Sequence, residues 1–249
     1  VFEICNSANL RLRREKCSFF KRSVTYLGHE VSEQGIKPCS KNVEKALQMT
    51  RPVNASEVRS FLGTAGFFRR FIRDYATVAE PLTRLLRKAQ AFEWTEKQEE
   101  AFVALKKSLT QAPILAFPDM SQETILTTDA SGVGIGAILS QHPKDDPSME
   151  RVVAYASRTL RGPEKRYATT HAEALAVVWG VHKFRYYLAG RRFTIRTDHS
   201  ALTFIFNNPN PSNKVQRWAA GLFEYDFTVQ YRPGESNPAD SLSRLLTHD

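Results

Sequence analysis

The order in which strand-like and helical patterns succeed one another beyond Pro118 leaves few folds open. Three strand-like segments come first, residues 124–128, 135–140 and 152–156. A long helical pattern from Pro163 to Leu188 follows, then a strand at 193–197, two helical patterns, a strand at 227–231 and a closing helix. Strands separated by short turns pair as antiparallel hairpins, whereas a strand reached through a long crossover returns parallel. The expectation is an α/β domain, a mixed five-stranded sheet with flanking helices. Ala174, Val177, Val178, Val181, Phe184 and Leu188 recur at helical spacing and form the stripe that packs on it. His142 to Glu150 reads as a polar loop.

Four acidic residues fall at telling places in this pattern. Asp129 follows the apolar pair Ile125-Leu126 and two threonines, at the end of the first strand. Asp198 closes the strand at 193–197, Glu173 borders the buried stripe of the long helix, and Asp240 opens the final helix. Taken singly, each has a bland reading as a turn aspartate, a solvated helix glutamate or an N-cap. Taken together, the ends of neighbouring strands and a crossover helix can bring them to one sheet edge. Carboxylates removed from water repel one another at a cost of several kcal/mol unless cations neutralise them. An oxygen-only ligand set suits two Mg²⁺ ions, with Mn²⁺ as the alternative, and points to two-metal phosphodiester hydrolysis. The run Gly132-x-Gly134-x-Gly136 reads as a β-turn, because it lies between two strands and lacks a phosphate-loop lysine.

The first part of the chain differs in character. Residues 17–20, 23–27 and 30–32 read as short strands closed by Gly35. From Ser40 to Leu109 the period is helical. Lys41–Met49 makes one helix, Asn54 with Glu57 caps a second, Pro81 opens a third, and Thr95 with Gln98 caps a fourth. Gly63 and Gly66 in the second helix imply close approach of another helix or of a nucleic-acid groove. Phe67, Phe68, Phe71 and Tyr75 read as core rather than as stacking groups. Residues 1–95 carry 17 Lys and Arg against 9 Asp and Glu, whereas residues 96–249 carry 18 against 17. The net charge of +9 therefore belongs almost wholly to the first part, as expected where one module holds a polyanion that another processes. Cys5, Cys17 and Cys39 have no metal-ligand spacing, which favours a reducing, intracellular setting. No apolar run reaches the about 18 residues of a membrane span. The chain opens on Val1 in mid-pattern and reads as a piece of a longer polypeptide.

These residues carry a resemblance. The chain resembles the C-terminal part of the reverse transcriptase of gypsy-type long-terminal-repeat retrotransposons. Lys16-Cys17-Ser18-Phe19-Phe20 and Tyr26-Leu27-Gly28-His29 resemble the palm end with its primer grip. Arg59-Ser60-Phe61-Leu62-Gly63 and Phe68-Arg69-Arg70-Phe71-Ile72 resemble the thumb, and Phe92-Glu93-Trp94-Thr95 the link beyond it. Thr128-Asp129-Ala130-Ser131, Glu173-Ala174-Leu175-Ala176, Thr197-Asp198-His199 and Asp240-Ser241-Leu242-Ser243-Arg244 resemble the ribonuclease H domain.

The resemblance implies three parts: palm end over 1–36, helical thumb and link over 37–111, and a ribonuclease H-like domain over 112–249. It implies that Asp129, Glu173, Asp198 and Asp240 bind metal and cut the RNA strand of an RNA–DNA hybrid. Tyr26, Leu27, Gly28, His29, Arg59, Arg69 and Arg70 would contact hybrid or template–primer duplex. The remaining Pol polyprotein, palm and fingers upstream and integrase downstream, would be the partner, in the cytoplasm within a virus-like particle and with access to the nucleus. The polymerase's paired aspartates lie outside this stretch. Two rivals stand beside this reading, a non-catalytic nucleic-acid-binding scaffold and a nuclease of the same fold that cuts DNA.

Overall fold

The computed structural model describes residues 2–87, 91–144, 146, 148–206, 217–218 and 220–233. Asp240 and the closing helix lie outside the described residues. Among the described residues, no helix is long and apolar enough to cross a membrane.

The first part begins with α1 (Phe2–Ser7) and a 3-10 turn at Arg14–Lys16. An antiparallel sheet of β1 (Ser23–Tyr26), β2 (His29–Ser32) and β3 (Gly35–Pro38) follows. The strand expected at 17–20 does not form. Phe20 takes a left-handed backbone (φ 55) and is fully exposed, so no pleated run passes through it. Gly35 begins a third strand rather than closing the stretch. Leu27 (φ 45) and Gly28 (φ 79) make the two-residue turn between β1 and β2, both with the positive φ that the strands' twist favours at a tight hairpin.

A helical lobe comes next: α2 (Ser40–Gln48), α3 (Ala55–Phe67), a 3-10 turn at Arg69–Phe71, α4 (Tyr75–Val78), α5 (Glu80–Arg84) and α6 (Glu96–Thr110). The Asn54 side chain accepts from the Glu57 N–H at 2.9 Å, and Glu57 accepts from Val53 N–H, the reciprocal cap expected from sequence. Thr95 and Gln98 form the second such box. Val58, Phe61 and Ala65 are buried on one face of α3, whereas Leu62 lies at the margin. Gly66 meets the Tyr75 hydroxyl at 3.2 Å from where a Cβ would stand, so it serves close packing; Gly63 faces open space.

The third part is a five-stranded sheet in the order β6-β5-β4-β7-β8, formed by β4 (Glu123–Ala130), β5 (Gly134–His142), β6 (Arg151–Thr159), β7 (Arg192–Thr197) and β8 (Asp226–Tyr231). β4, β5 and β6 pair antiparallel, and β7 runs parallel to both β4 and β8. This is the mixed sheet that the element order implied. The long helix expected over 163–188 is divided into a 3-10 turn at Gly162–Arg166, α7 (Thr169–Lys183) and α8 (Arg185–Leu188), with α9 (Ala201–Ile205) after β7. Glu164 accepts from Arg161 N–H and pairs with Arg158 of β6 at 2.6 Å, which holds the first turn to the sheet. The chain is extended at Tyr167 and Ala168, so α7 starts afresh beyond them. Gly134 and Gly136 sit within β5, not in a turn, which is confined to residues 131–133.

α7 covers one face of the sheet. Gly180 lets it approach Thr128, Ala137 and Leu126 to ordinary or slightly tighter than ordinary contact. Leu126, Ala137, Leu139, Ala174, Val177, Val181 and Ile195 are buried there as one core. Leu115, together with Val152 and Tyr155 of β6, packs instead with the core of the helical lobe.

Leu126 is fully buried beneath α7, and truncation leaves a cavity the rigid sheet cannot close. Leu126→Ala should cost about 2–5 kcal/mol in urea unfolding. A loss below about 1 kcal/mol would mean that α7 is not seated on β4 as described.

Candidate active site

The parallel pairing of β4 with β7 puts two carboxylates side by side. Its register runs from Thr124 opposite Phe193 to Thr127 opposite Arg196. Continued two residues further, it sets Asp129 beside Asp198 at the same end of the sheet. The third carboxylate arrives from the other layer. Glu173 lies in the first turns of α7, four residues before the buried Val177 and on the same helical face. Oxygen atoms of Asp129, Glu173 and Asp198 all lie within 4.8 Å of one another.

The three differ in environment. Asp129 and Asp198 are exposed, whereas Glu173 is only 4% exposed. Its Oε1 accepts from Ala130 N–H at 3.2 Å, while its Oε2 is buried and makes no hydrogen bond among the described residues. Burial, then the charges of Asp129 and Asp198, push the Glu173 carboxyl up to about 8. Asp129 is exposed as a residue but its carboxyl is set into the recess, and this partial desolvation, then Asp74 and Asp198, raise its pKa, with Arg73 partly offsetting the rise. Asp198 is not the cap of α9, whose N-cap position is Ser200. Next to it, His199 shares a 2.9 Å hydrogen bond between its Nε2 and Thr170 Oγ1 of α7, tying the end of β7 to the helix that carries Glu173.

Arginines surround the acidic groups. A recess of about 80 Å³ is lined by Arg73, Asp74, Asp129, Arg196, Asp198 and Arg232, among others. Arg196 on β7 pairs with Glu150 at 2.7 Å, and Glu150 also accepts from Ser140 Oγ at 2.6 Å. This largely buried network fixes one positive group beneath the site. Glu150 ends the segment that reads from sequence as a polar loop, and nothing in its local pattern marks it as Arg196's partner.

The residues expected to meet nucleic acid do not gather at the acidic cluster. Tyr26 and Leu27 are exposed at the tip of the β1–β2 hairpin, with Gly28 beside them in the turn. The His29 ring stacks on Phe67 (5.2 Å between centroids, 7° between planes) and its Nδ1 is buried. Burial and the neighbouring Arg70 lower its pKa, and the ring also lies against Phe68 and Phe71 of the helical lobe. Arg59 is exposed on α3. Arg69 donates from Nη2 to the Ser157 carbonyl of β6 at 2.8 Å, and the Arg70 guanidinium lies 5.8 Å from the Phe71 ring centre.

Residues 119–225 match the family described as the RNase H-like domain found in reverse transcriptase. The chain is 41% identical over 246 residues to the retrovirus-related Pol polyprotein from transposon 412 of Drosophila melanogaster, covering 98% of this chain and 20% of that polyprotein. It is 36% identical over 251 residues to the transposon Tf2-3 polyprotein of Schizosaccharomyces pombe, covering 99% of this chain and 19% of that one. The chain thus spans about a fifth of the length of these relatives. Among solved structures it shares the fold of a foamy viral protease-reverse transcriptase in complex with double-stranded DNA. That likeness has a TM-score of 0.77 at 20% identity, over 93% of this chain and 41% of that one. A foamy viral protease-reverse transcriptase in complex with RNA/DNA hybrid gives a TM-score of 0.72 at 19% identity, over 90% of this chain and 31% of that one.

Between the ordinary glutamate value of 4.5 and about 8, folded Glu173 holds a proton that the unfolded chain has lost. Without metal, stability should therefore fall as pH rises through that window and level off above it. In the presence of a chelator, Glu173→Gln should flatten this decline and unfold at a higher temperature than the wild type at pH 8. Superimposable pH profiles of the unfolding temperature would remove Glu173 as the group responsible.

Proposed function

From a chain that is a homologue of retrotransposon Pol polyproteins and carries the RNase H-like domain found in reverse transcriptase, we propose a metal-dependent nuclease that cuts the RNA strand of RNA–DNA hybrids. Residues 112–249 would be the nuclease unit, 37–111 the thumb and link, and 1–36 the end of the palm. One observation carries the proposal: three carboxylates converge within 4.8 Å, and the buried one keeps an oxygen with no hydrogen bond among the described residues.

That donor set fits a hard divalent cation. All the ligand atoms are carboxylate oxygens, their mutual repulsion calls for positive charge, and a buried acceptor such as Glu173 Oε2 is costly unless something meets it. Asp129, Glu173 and Asp198 would hold Mg²⁺ or Mn²⁺, with Asp240 as the fourth ligand by family resemblance. A pair of such ions supplies phosphodiester hydrolysis by lowering the pKa of water and neutralising charge on the leaving oxygen.

The chain's own part is placement. The Ala130 N–H orients Glu173 Oε1, and the paired strand ends hold Asp129 and Asp198 in fixed register. Arg73, Arg196 and Arg232 raise the potential of the recess, which suits the approach of a phosphate backbone. Choice of the RNA strand would rest on contacts to 2′-hydroxyls, and binding would be independent of sequence. The polymerase segments of the same polyprotein would be the natural partners, holding the duplex that this part processes.

Cleavage of a labelled RNA–DNA hybrid by the purified chain should require Mg²⁺ and stop with EDTA. Asp129→Asn, Glu173→Gln and Asp198→Asn should each lose more than the roughly 10–100-fold that removal of an outer partner of a metal ligand costs. Cutting that persists in EDTA, or in all three variants, would sink the proposal. Hybrid binding without any cutting by the wild type would favour the scaffold reading, and preferential cutting of double-stranded DNA the DNA nuclease.

A further inference from the structure

The segment between the 3-10 turn at Arg69–Phe71 and α4 crosses the face of the sheet opposite α7, level with the acidic site. Three residues form a row across the strands there. Asp129 of β4 pairs with Gly136 of β5, and Gly136 pairs with Ser157 of β6. Ser157 anchors the crossing segment twice: its Oγ accepts from Ala76 N–H at 2.9 Å, and its carbonyl accepts from Arg69 at 2.8 Å. Gly136 leaves the middle of the row without a side chain, and Oδ1 of Asp74 fills that place, so that a Cβ on Gly136 would collide with it. Gly134 likewise leaves room for Thr77, whose Oγ1 lies 2.7 Å from where its Cβ would stand.

The row gives Asp74 a definite relation to the site. Side chains of directly paired residues share a face, with Cβ atoms about 4.5–5.5 Å apart. The Asp74 oxygen, lying against the place where a Gly136 Cβ would stand, is therefore on the same face of the sheet as Asp129 and beside it across the strand pair. Asp74 lines the same recess as Asp129 and Asp198. It reaches this place through a left-handed backbone (φ 49, ψ 29), a conformation that Asp and Asn tolerate better than most side-chain-bearing residues. Its side chain makes no cap bond to α4, and it forms an ion pair with the adjacent Arg73 at 3.3 Å. Mere docking would be served by a neutral residue. A carboxylate set beside three others, one with a buried oxygen that makes no hydrogen bond among the described residues, implies a positive charge to be shared.

We propose that Asp74 is a positioning residue for the divalent cation held by Asp129, Glu173 and Asp198, supplied by the helical lobe through the gap at Gly136. The proposal rests on the reading of that cluster as a cation site. Asp74 lies outside the three-carboxylate group and acts by accepting hydrogen bonds from the water ligands that a hard cation such as Mg²⁺ retains. Outer partners of this kind tune affinity through the orientation of the inner ligands.

The test is the affinity of the full chain for Mn²⁺, read by electron paramagnetic resonance, with no substrate present. Asp74→Asn keeps the shape and the backbone preference and should weaken Mn²⁺ binding by about 10–100-fold. Gly136→Ala, which displaces Asp74 while leaving all three inner carboxylates in place, should weaken it in the same direction. Asp129→Asn should abolish the tight site. Wild-type affinity in Asp129→Asn would overturn the cation site itself, and the proposal with it. Loss in Asp129→Asn with unchanged affinity in Asp74→Asn would overturn the role of Asp74 alone. So would a lowered unfolding temperature for Asp74→Asn at unaltered Mn²⁺ affinity, the mark of a purely structural contact.

Discussion

The parallel pairing of β4 with β7 is the contact on which the acidic site depends. Two strands that meet parallel end at the same edge, and it is this that sets Asp129 beside Asp198. A slip of one residue would turn every side chain of the strand to the opposite face and separate the pair. Parallel pairing in turn requires a crossover, and the crossover here is α7, which delivers Glu173 to the same edge. The convergence of like charge is thus a product of topology. The fold imposes the repulsion, and buried apolar contacts such as Leu126 and Ala137 against Gly180 keep the layers from moving apart to relieve it.

The helical lobe is bound to the opposite face by a different kind of contact. Leu115, Val152 and Tyr155 extend the lobe's apolar core onto the sheet, and the bridge between Ile36 and Leu115 links the β1–β3 sheet to the same region. Around them the contacts are polar and directional, from Arg69 and Ala76 to Ser157. Apolar area supplies the adhesion and the hydrogen bonds fix the register. The net-positive helical lobe is therefore indexed, strand by strand, to the sheet that carries the carboxylates.

Much of this was legible in the sequence, for local reasons. The succession of strands and helices, the caps at Asn54 and Thr95, and the strand-end positions of Asp129 and Asp198 follow from alternation, capping chemistry and punctuation by turns. Glu173 is four residues from Val177, so its burial was implied by helical geometry, yet charge argued for solvent and the sequence offered no means of weighing the two. The break at Phe184 was hidden because an apolar stripe continues through it, whereas a start just beyond Tyr167 was implied by the family resemblance though not by the helical period. Gly134 and Gly136 resembled a turn because glycine usually marks one. Their actual reason, the space taken by Thr77 and Asp74, lies some sixty residues away in the chain. Contacts of that range, like the pair of Glu150 with Arg196, leave no local trace.

The gap at Gly136 also carries a consequence for how such a chain can change over generations. A β-carbon at position 136 would push the Asp74 side chain aside, and a shorter residue at 74 would leave the bare backbone of the strand uncovered. Drift at either position alone meets a barrier, one steric and the other a loss of packing. The two sites, in different lobes and far apart in sequence, are coupled, and a substitution at one changes which residues the other can hold without loss.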